Sequence, residues 1–137
     1  MKKFIFLTIS SLLLLSCSLD SPGEATTPEI VPISSVEMPS AFKVDSITNI
    51  PITYYKPTNC HVFSNFYYNS IGNERTVAIY CSKINNPNCT TGGFIMPITV
   101  PLSFKPASIG TYKFRFWTGV NTSGIDQYIE HEIVVDH

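Results

Sequence analysis

The stretch Phe94-Ile-Met-Pro-Ile-Thr-Val-Pro-Leu-Ser-Phe104 alternates with a period of two. Phe94, Met96, Ile98, Val100, Leu102 and Phe104 fall on one side, and Ile95, Pro97, Thr99, Pro101, Ser103 and Lys105 on the other. A sheet buried on one face needs this pattern, because successive side chains of a strand point to opposite faces. Pro97 and Pro101 lack the N–H that a central strand donates, which places part of the run at a sheet edge or bulge. Elsewhere after residue 33, Pro and Gly recur too often for long helices, and no stretch shows a helical apolar period.

Two hairpins follow from the same signal. Cys60–Asn69 and Thr76–Lys83 flank the turn Ile71-Gly-Asn-Glu74. Pairing Ile71 with Glu74 puts Val62, Phe66 and Tyr68 on one face with Val77, Ile79 and Cys81. His61, Phe63, Asn65 and Tyr67 then share the other with Ala78, Tyr80 and Ser82. The second hairpin joins Thr111–Thr118 to Gln127–Val135 through Gly119–Gly124, with Tyr112, Phe114 and Phe116 on one side and Lys113, Arg115 and Trp117 on the other. One register sets Lys113 against Glu132, Arg115 against Glu130 and Trp117 against Tyr128, so that opposite charges and an aromatic pair meet across one ladder. Earlier strands are expected near Ser34–Glu37, Ala41–Val44 and Asn49–Tyr55.

Seven or eight short strands with turns between them, in one domain over 34–137, predict an all-β fold: an immunoglobulin/fibronectin-III-like antiparallel β-sandwich. Gly110 two residues before the strand-opening Tyr112 resembles the tyrosine corner of such sandwiches. The Cys-Trp-Cys spacing of antibody domains is not present.

The N-terminus reads differently. Lys2 and Lys3 precede an uncharged, mostly apolar run from Phe4 to Leu15, then Ser16 and Cys17. The run is shorter than the roughly 20 apolar residues of a spanning helix, so residues 1–16 read as a signal peptide, helical in its apolar run. Leu14-Leu-Ser-Cys17 resembles the lipobox of bacterial lipoproteins, with the small Ser16 before the cysteine and Leu15 as a mild departure. The resemblance implies lipidation of Cys17, whose thiolate is the nucleophile such a thioether needs. Each buried chain CH₂ adds about 0.8 kcal/mol of membrane affinity, so two or three acyl chains hold firmly. Residues 17–33 then form a lipidated cysteine and tether, rich in Pro, Ser, Thr and acid and expected to stay extended.

Removing Lys2 and Lys3 with the signal leaves seven basic residues against ten acidic, a formal charge of −3. That balance excludes a nucleic-acid-binding surface. Among the remaining cysteines, three pairings are possible. The first hairpin's register sets Cys81 against Ser64, roughly 13 Å along the strand from Cys60, beyond the ~7 Å Cα separation a disulfide spans. Cys60 falls opposite Asn85, near the point to which Asn86-Pro-Asn88 can return Cys89. The expectation is therefore a Cys60–Cys89 disulfide with Cys81 as a buried free thiol; Cys81 pairing in place of either is the alternative.

No catalytic pattern stands out. His131 and His137 lie about 20 Å apart on an extended strand, too far to share one ion, and each histidine, His61 included, reads as a lone, partly exposed strand residue. There is no Gly-x-Ser-x-Gly motif, and Glu130 and Glu132 are accounted for by cross-strand ion pairs. The reading is a non-enzyme with no cofactor and no metal. Trp117, Tyr128, Tyr80, Phe63 and Tyr67 are candidates for exposed aromatics, with Trp117 and Tyr128 as a possible ligand platform.

Pro57-Thr-Asn-Cys60, Phe66-Tyr-Tyr68, Cys89 and Tyr112-Lys-Phe-Arg-Phe-Trp-Thr-Gly119 together resemble small Bacteroidetes lipoproteins with an immunoglobulin-like β-sandwich domain. The likeness covers most of the domain and implies the sandwich and the Cys60–Cys89 bridge; it carries no activity with it. Asp45-Ser-Ile47 resembles the short O-glycan acceptor motif of exported proteins in that group. The implied location is the cell envelope, at the outer membrane; Asp20 alone does not choose between its periplasmic and surface leaflets. The implied partners are membrane lipid through Cys17 and another envelope protein. A glycan held by Trp117 and Tyr128, or an enzyme inhibited through the loop Ile84–Gly93, are the other classes. Mass spectrometry of the chain isolated from membranes is expected to find Cys17 at the N-terminus bearing two or three acyl chains. An unmodified chain beginning at another residue contradicts the anchor.

Overall fold

The computed structural model describes residues 25–92 and 96–137. Residues 1–24, which hold the expected signal, Cys17 and the start of the expected tether, lie outside the described residues, as does Phe94. The described chain forms nine strands: β1 (Thr26–Val31), β2 (Ile33–Val36), β3 (Phe42–Lys43), β4 (Thr48–Tyr55), β5 (His61–Ile71), β6 (Glu74–Ile84), β7 (Pro97–Phe104), β8 (Gly110–Val120) and β9 (Asp126–Asp136). They make two sheets. The smaller runs β2-β4-β7; the larger contains β1, β5, β6, β8, β9 and β3. The all-β expectation holds, with nine strands where seven or eight were expected.

The two sheets enclose one core. Ile50, Ile52 and Tyr54 of β4 and Leu102 and Phe104 of β7 meet Val77, Ile79 and Cys81 of β6, Tyr112, Phe114 and Phe116 of β8, and Ile133 and Val135 of β9. Phe104 is the hub, with ring centroids 4.9 Å from Phe114, 5.5 Å from Tyr112 and 6.0 Å from Phe42, all edge-on. Among the described residues β7 pairs only with β4, so Pro97 and Pro101 sit on an edge strand, where a missing N–H costs no ladder bond. Ile98 and Val100 pack against the core, but Met96 precedes the strand and is 70% exposed, against the expectation that it faced inward. The hydroxyl of buried Tyr112 donates to the Ser108 carbonyl at 3.1 Å and accepts from the Ser108 N–H at 3.3 Å, tying β8 to the turn before it.

Three expectations are corrected. The tether does not run to residue 33: Thr26–Val31 pairs with β6, and Val31 and Ile33 are buried. A polar, proline-bearing segment suits this place because among the described residues β1 pairs on one side only, and the β-branched Thr26 and Thr27 favour extension. Nor is the pairing wholly antiparallel: β6·β8 and β3·β9 are parallel.

The third correction concerns the first hairpin. Its register holds from Ile71↔Glu74 to Asn65↔Tyr80, with Gly72 at φ 56° at the first position of the two-residue turn. It then slips by one, because Ser64 is an extra residue and Phe63 faces Cys81. A bulge of one residue sends every side chain beyond it to the opposite face. Phe63 therefore packs inward against Tyr54 and Phe66, His61 is buried, and Val62 is exposed, the reverse of the expected faces.

Truncating the core hub is the sharpest stability test. Phe104→Ala is expected to lower the unfolding free energy by about 3–5 kcal/mol in denaturant titration. A loss under about 1 kcal/mol contradicts the placement of Phe104.

Candidate functional site

With Tyr112, Phe114 and Phe116 directed inward, β8 must present Lys113, Arg115 and Trp117 on the outer face of the larger sheet. The β8·β9 register is the expected one: Lys113↔Glu132, Arg115↔Glu130 and Trp117↔Tyr128. The ion pairs depart from it in one respect. Lys113 Nζ reaches diagonally to Glu130 at 2.8 Å rather than to Glu132 opposite, and Arg115 bonds Glu130 at 3.0 Å and Glu74 at 3.5 Å. The hydrogen bond from Lys113 holds the Glu130 carboxyl below its usual range, and Glu130 in turn raises Lys113. These side chains are a third to nearly half exposed, so solvent screens the pairs and they add little to stability. The Arg115 guanidinium also lies 4.1 Å from the Tyr128 ring centre.

Beyond Arg115 the outer face opens into a groove of about 270 Å³ lined by Ile30, Tyr67, Thr76, Ala78, Trp117, Asp126 and Tyr128. Its origin lies in how β6 shares its edges. β5 occupies one edge from Glu74 to Lys83. On the other, β8 pairs with Glu74–Val77 and β1 with Ile79–Ile84, leaving Ala78 between the two ladders. A buried alanine forms the floor there, 4% exposed, while Trp117 of β8, Ile30 of β1 and Tyr67 of β5 stand around it. Tyr67 is 39% exposed and Ile30 46%. Trp117 Nε1–H donates to Asp126 Oδ1 at 2.8 Å, fixing indole and carboxylate together at one end.

Of the aromatics expected to be exposed, Trp117, Tyr128 and Tyr67 come together here and Tyr80 lies edge-on to Tyr67 at 6.2 Å, but only Tyr67 is exposed and the other three are half-buried. Phe63 does not, for the reason the Ser64 bulge gives. Sequence reasoning missed Ile30, Thr76, Ala78 and Asp126. The outward alternation of Thr76, Ala78 and Tyr80 carried the signal for two of these, but Ile30 had been placed at the end of the tether. No protein-family model, curated protein or solved structure matches this chain.

A second polar cluster adjoins the disulfide. Cys60 and Cys89 are bridged, with Cα atoms 5.6 Å apart, and Cys81 is free and buried. Closing a loop of 29 residues contributes about 3–4 kcal/mol on the chain-entropy account. Burial pushes the Cys81 thiol above its usual range and Tyr54 up to about 12. His61 is 1% exposed, contrary to the expected part-exposed strand histidine. The Thr58 N–H donates to Nδ1 at 3.2 Å, and Nε2 lies 2.8 Å from Glu29 Oε2. Lys83 Nζ reaches the other Glu29 oxygen at 3.2 Å. His131 is half-buried, edge-on to Phe116 at 6.2 Å; exposed His137 accepts from Lys43 Nζ through its carbonyl. The Asp45-Ser46-Ile47 motif occupies an exposed turn, with Asp45 at φ 59°.

The hydrogen bond from His61, and then that from Lys83, lower the Glu29 carboxyl from 4.5. A depressed folded-state value stabilises the fold fully above the ordinary carboxylate range and is lost as pH falls through the folded value. The stability gap between the parent chain and Glu29→Gln, followed by thermal melts, is therefore expected to be widest at neutral pH and to close below pH ~4. A gap unchanged across that range contradicts the role of the ionised carboxylate.

Proposed function

We propose that this chain is an envelope lipoprotein anchored through Cys17, and that its domain is a non-catalytic module binding another envelope protein by the outer face of the larger sheet. The observation that carries the reading is the groove over Ala78, where exposed Tyr67 and Ile30 and half-buried Trp117 and Tyr128 stand around a small floor. Aromatic side chains offer large contact area at low entropic cost, which makes them the anchors of protein interfaces. The adjoining β5 supports the same reading: among the described residues its outer edge has no strand partner, and it carries neither proline nor lysine to guard it. The N-terminal pattern of Lys2, Lys3, an apolar run and Ser16-Cys17 supports the anchor.

The non-catalytic part rests on the groove's chemistry. Its lining offers one carboxylate and no nucleophile paired with a base. The Thr58–His61–Glu29 chain resembles a relay in its distances, but both ring nitrogens are engaged within the fold and the ring is shut from solvent. Within the all-β architecture we read the sandwich as an immunoglobulin-like variant, supported by the Tyr112–Ser108 bonds, with the parallel β6·β8 pair as its departure. A glycan-binding module is the second reading, favoured by Trp117 and Tyr128 lying opposite one another on β8 and β9.

A photo-crosslinking amino acid in place of Tyr67, in intact cells, is expected to give one discrete adduct with a single envelope protein. The same group in place of Thr99, on the outer face of the smaller sheet, is expected to give none. No adduct at Tyr67, or the same adducts at both sites, overturns the protein-partner reading; glycan binding lost in Trp117→Ala replaces it with the second.

A further inference from the structure

We infer that the groove over Ala78 receives a cationic side chain, an arginine or lysine, of the partner protein. The inference rests on the protein-partner reading above and specifies what that partner presents. Its first ground is charge. Asp126 is the one ionisable carboxylate in the lining, and no lysine, arginine or histidine lines the groove with it. Glu74 and Glu130 on the same face are paired with Arg115 and Lys113, whereas among the described residues Asp126 has no cation partner. Its Oδ1 accepts the Trp117 N–H, and Oδ2 makes no bond within the described chain. An anionic ligand would find nothing to pair with here, while a cation finds an anchored carboxylate.

The second ground is the walls. Trp117 and Tyr67 are aromatic walls whose ring faces are electronegative, and a cation held against such a face beside a carboxylate is attracted by both; the Tyr128 ring is already engaged by Arg115. The chain already uses this chemistry: Arg115 sits over Tyr128 at 4.1 Å, and Arg75 over Tyr112 at 5.0 Å. The third ground is the balance of hydrogen-bonding groups. A neutral sugar ring needs donors as well as acceptors from its site. The strongest donor in the lining, the indole N–H, is already committed to Asp126. The fourth is size. About 270 Å³ lies below the roughly 300–1,000 Å³ of drug-sized pockets and suits the end of one side chain.

Trp117 is the single tryptophan of the chain, so its fluorescence reports this groove alone. The full chain in a non-ionic detergent is titrated with a blocked tripeptide carrying a central arginine, with the lysine tripeptide, and with the uncharged citrulline tripeptide. Saturable change with arginine or lysine, absent with citrulline and weakened several-fold by salt, is the expected result. Asp126→Asn, which keeps an oxygen to accept the indole N–H, is expected to weaken binding about fivefold or more while leaving the melting temperature unchanged. Equal responses to arginine and citrulline, no response to either cation, or unaltered binding in Asp126→Asn overturns the inference. A neutral oligosaccharide that changes the signal when the cations do not also overturns it. The two readings fail separately. Crosslinks from position 67 without cation binding leave the partner and remove this ligand class; cation binding without crosslinks leaves the groove's chemistry and removes the partner.

Discussion

A strand has two edges, and β6 has three neighbours. β5 fills one edge along nearly the whole strand, so β8 and β1 must divide the other, the first parallel and the second antiparallel. Much of the rest of the molecule follows from that division. Val77, Ile79 and Cys81 are fully enclosed, with the larger sheet extending to both sides of them. β1 ends where the division falls, and the chain crosses at Pro32 into the smaller sheet, with Pro32 beside Gly119. On that divided edge the two ladders leave one residue of β6 unpaired, and that residue is alanine.

The groove is therefore a product of topology filled in by side-chain size. A large residue at position 78 would fill the floor; the methyl of Ala78 leaves room for the rings around it. The groove's charge comes from the turn beyond. Asn121 Oδ1 accepts the N–H groups of Ser123 and Ile125, which shapes the loop that delivers Asp126 to Trp117. The ion pairs beside it are too exposed to stabilise the fold much, and their effect is to neutralise Glu74 and Glu130, leaving Asp126 as the groove's unpaired charge.

The β8·β9 register was legible because three independent pairs, two of charge and one of aromatics, agreed on it. The Phe104 half of β7 was legible from alternation, and its edge position from two prolines. The Cys60–Cys89 bridge came from register and chain return, and it survives the one-residue slip because Cys60 moves only from Asn85 to beside Ile84. What failed did so for physical reasons. Ser64 carries no glycine or proline to mark a bulge, so His61 and Phe63 were assigned the wrong face. Thr26–Val31 is polar enough to read as a tether, because a strand paired on one edge need bury little. The parallel β6·β8 pairing joins segments nearly 40 residues apart by chain, and local periodicity holds no record of it. Only with that pairing known do Ile30 and Ala78 fall beside Trp117, whereas Asp126 reaches it within the β8·β9 hairpin.

The division of the β6 edge can be read directly from backbone nuclear Overhauser contacts in solution. The account predicts contacts from Val77 to Phe116 and from Ile79 to Val31 in the same molecule, with no strand continuing past Ala78 on that edge. A single neighbour along the whole edge, whether β1 or β8, would contradict it and remove the groove.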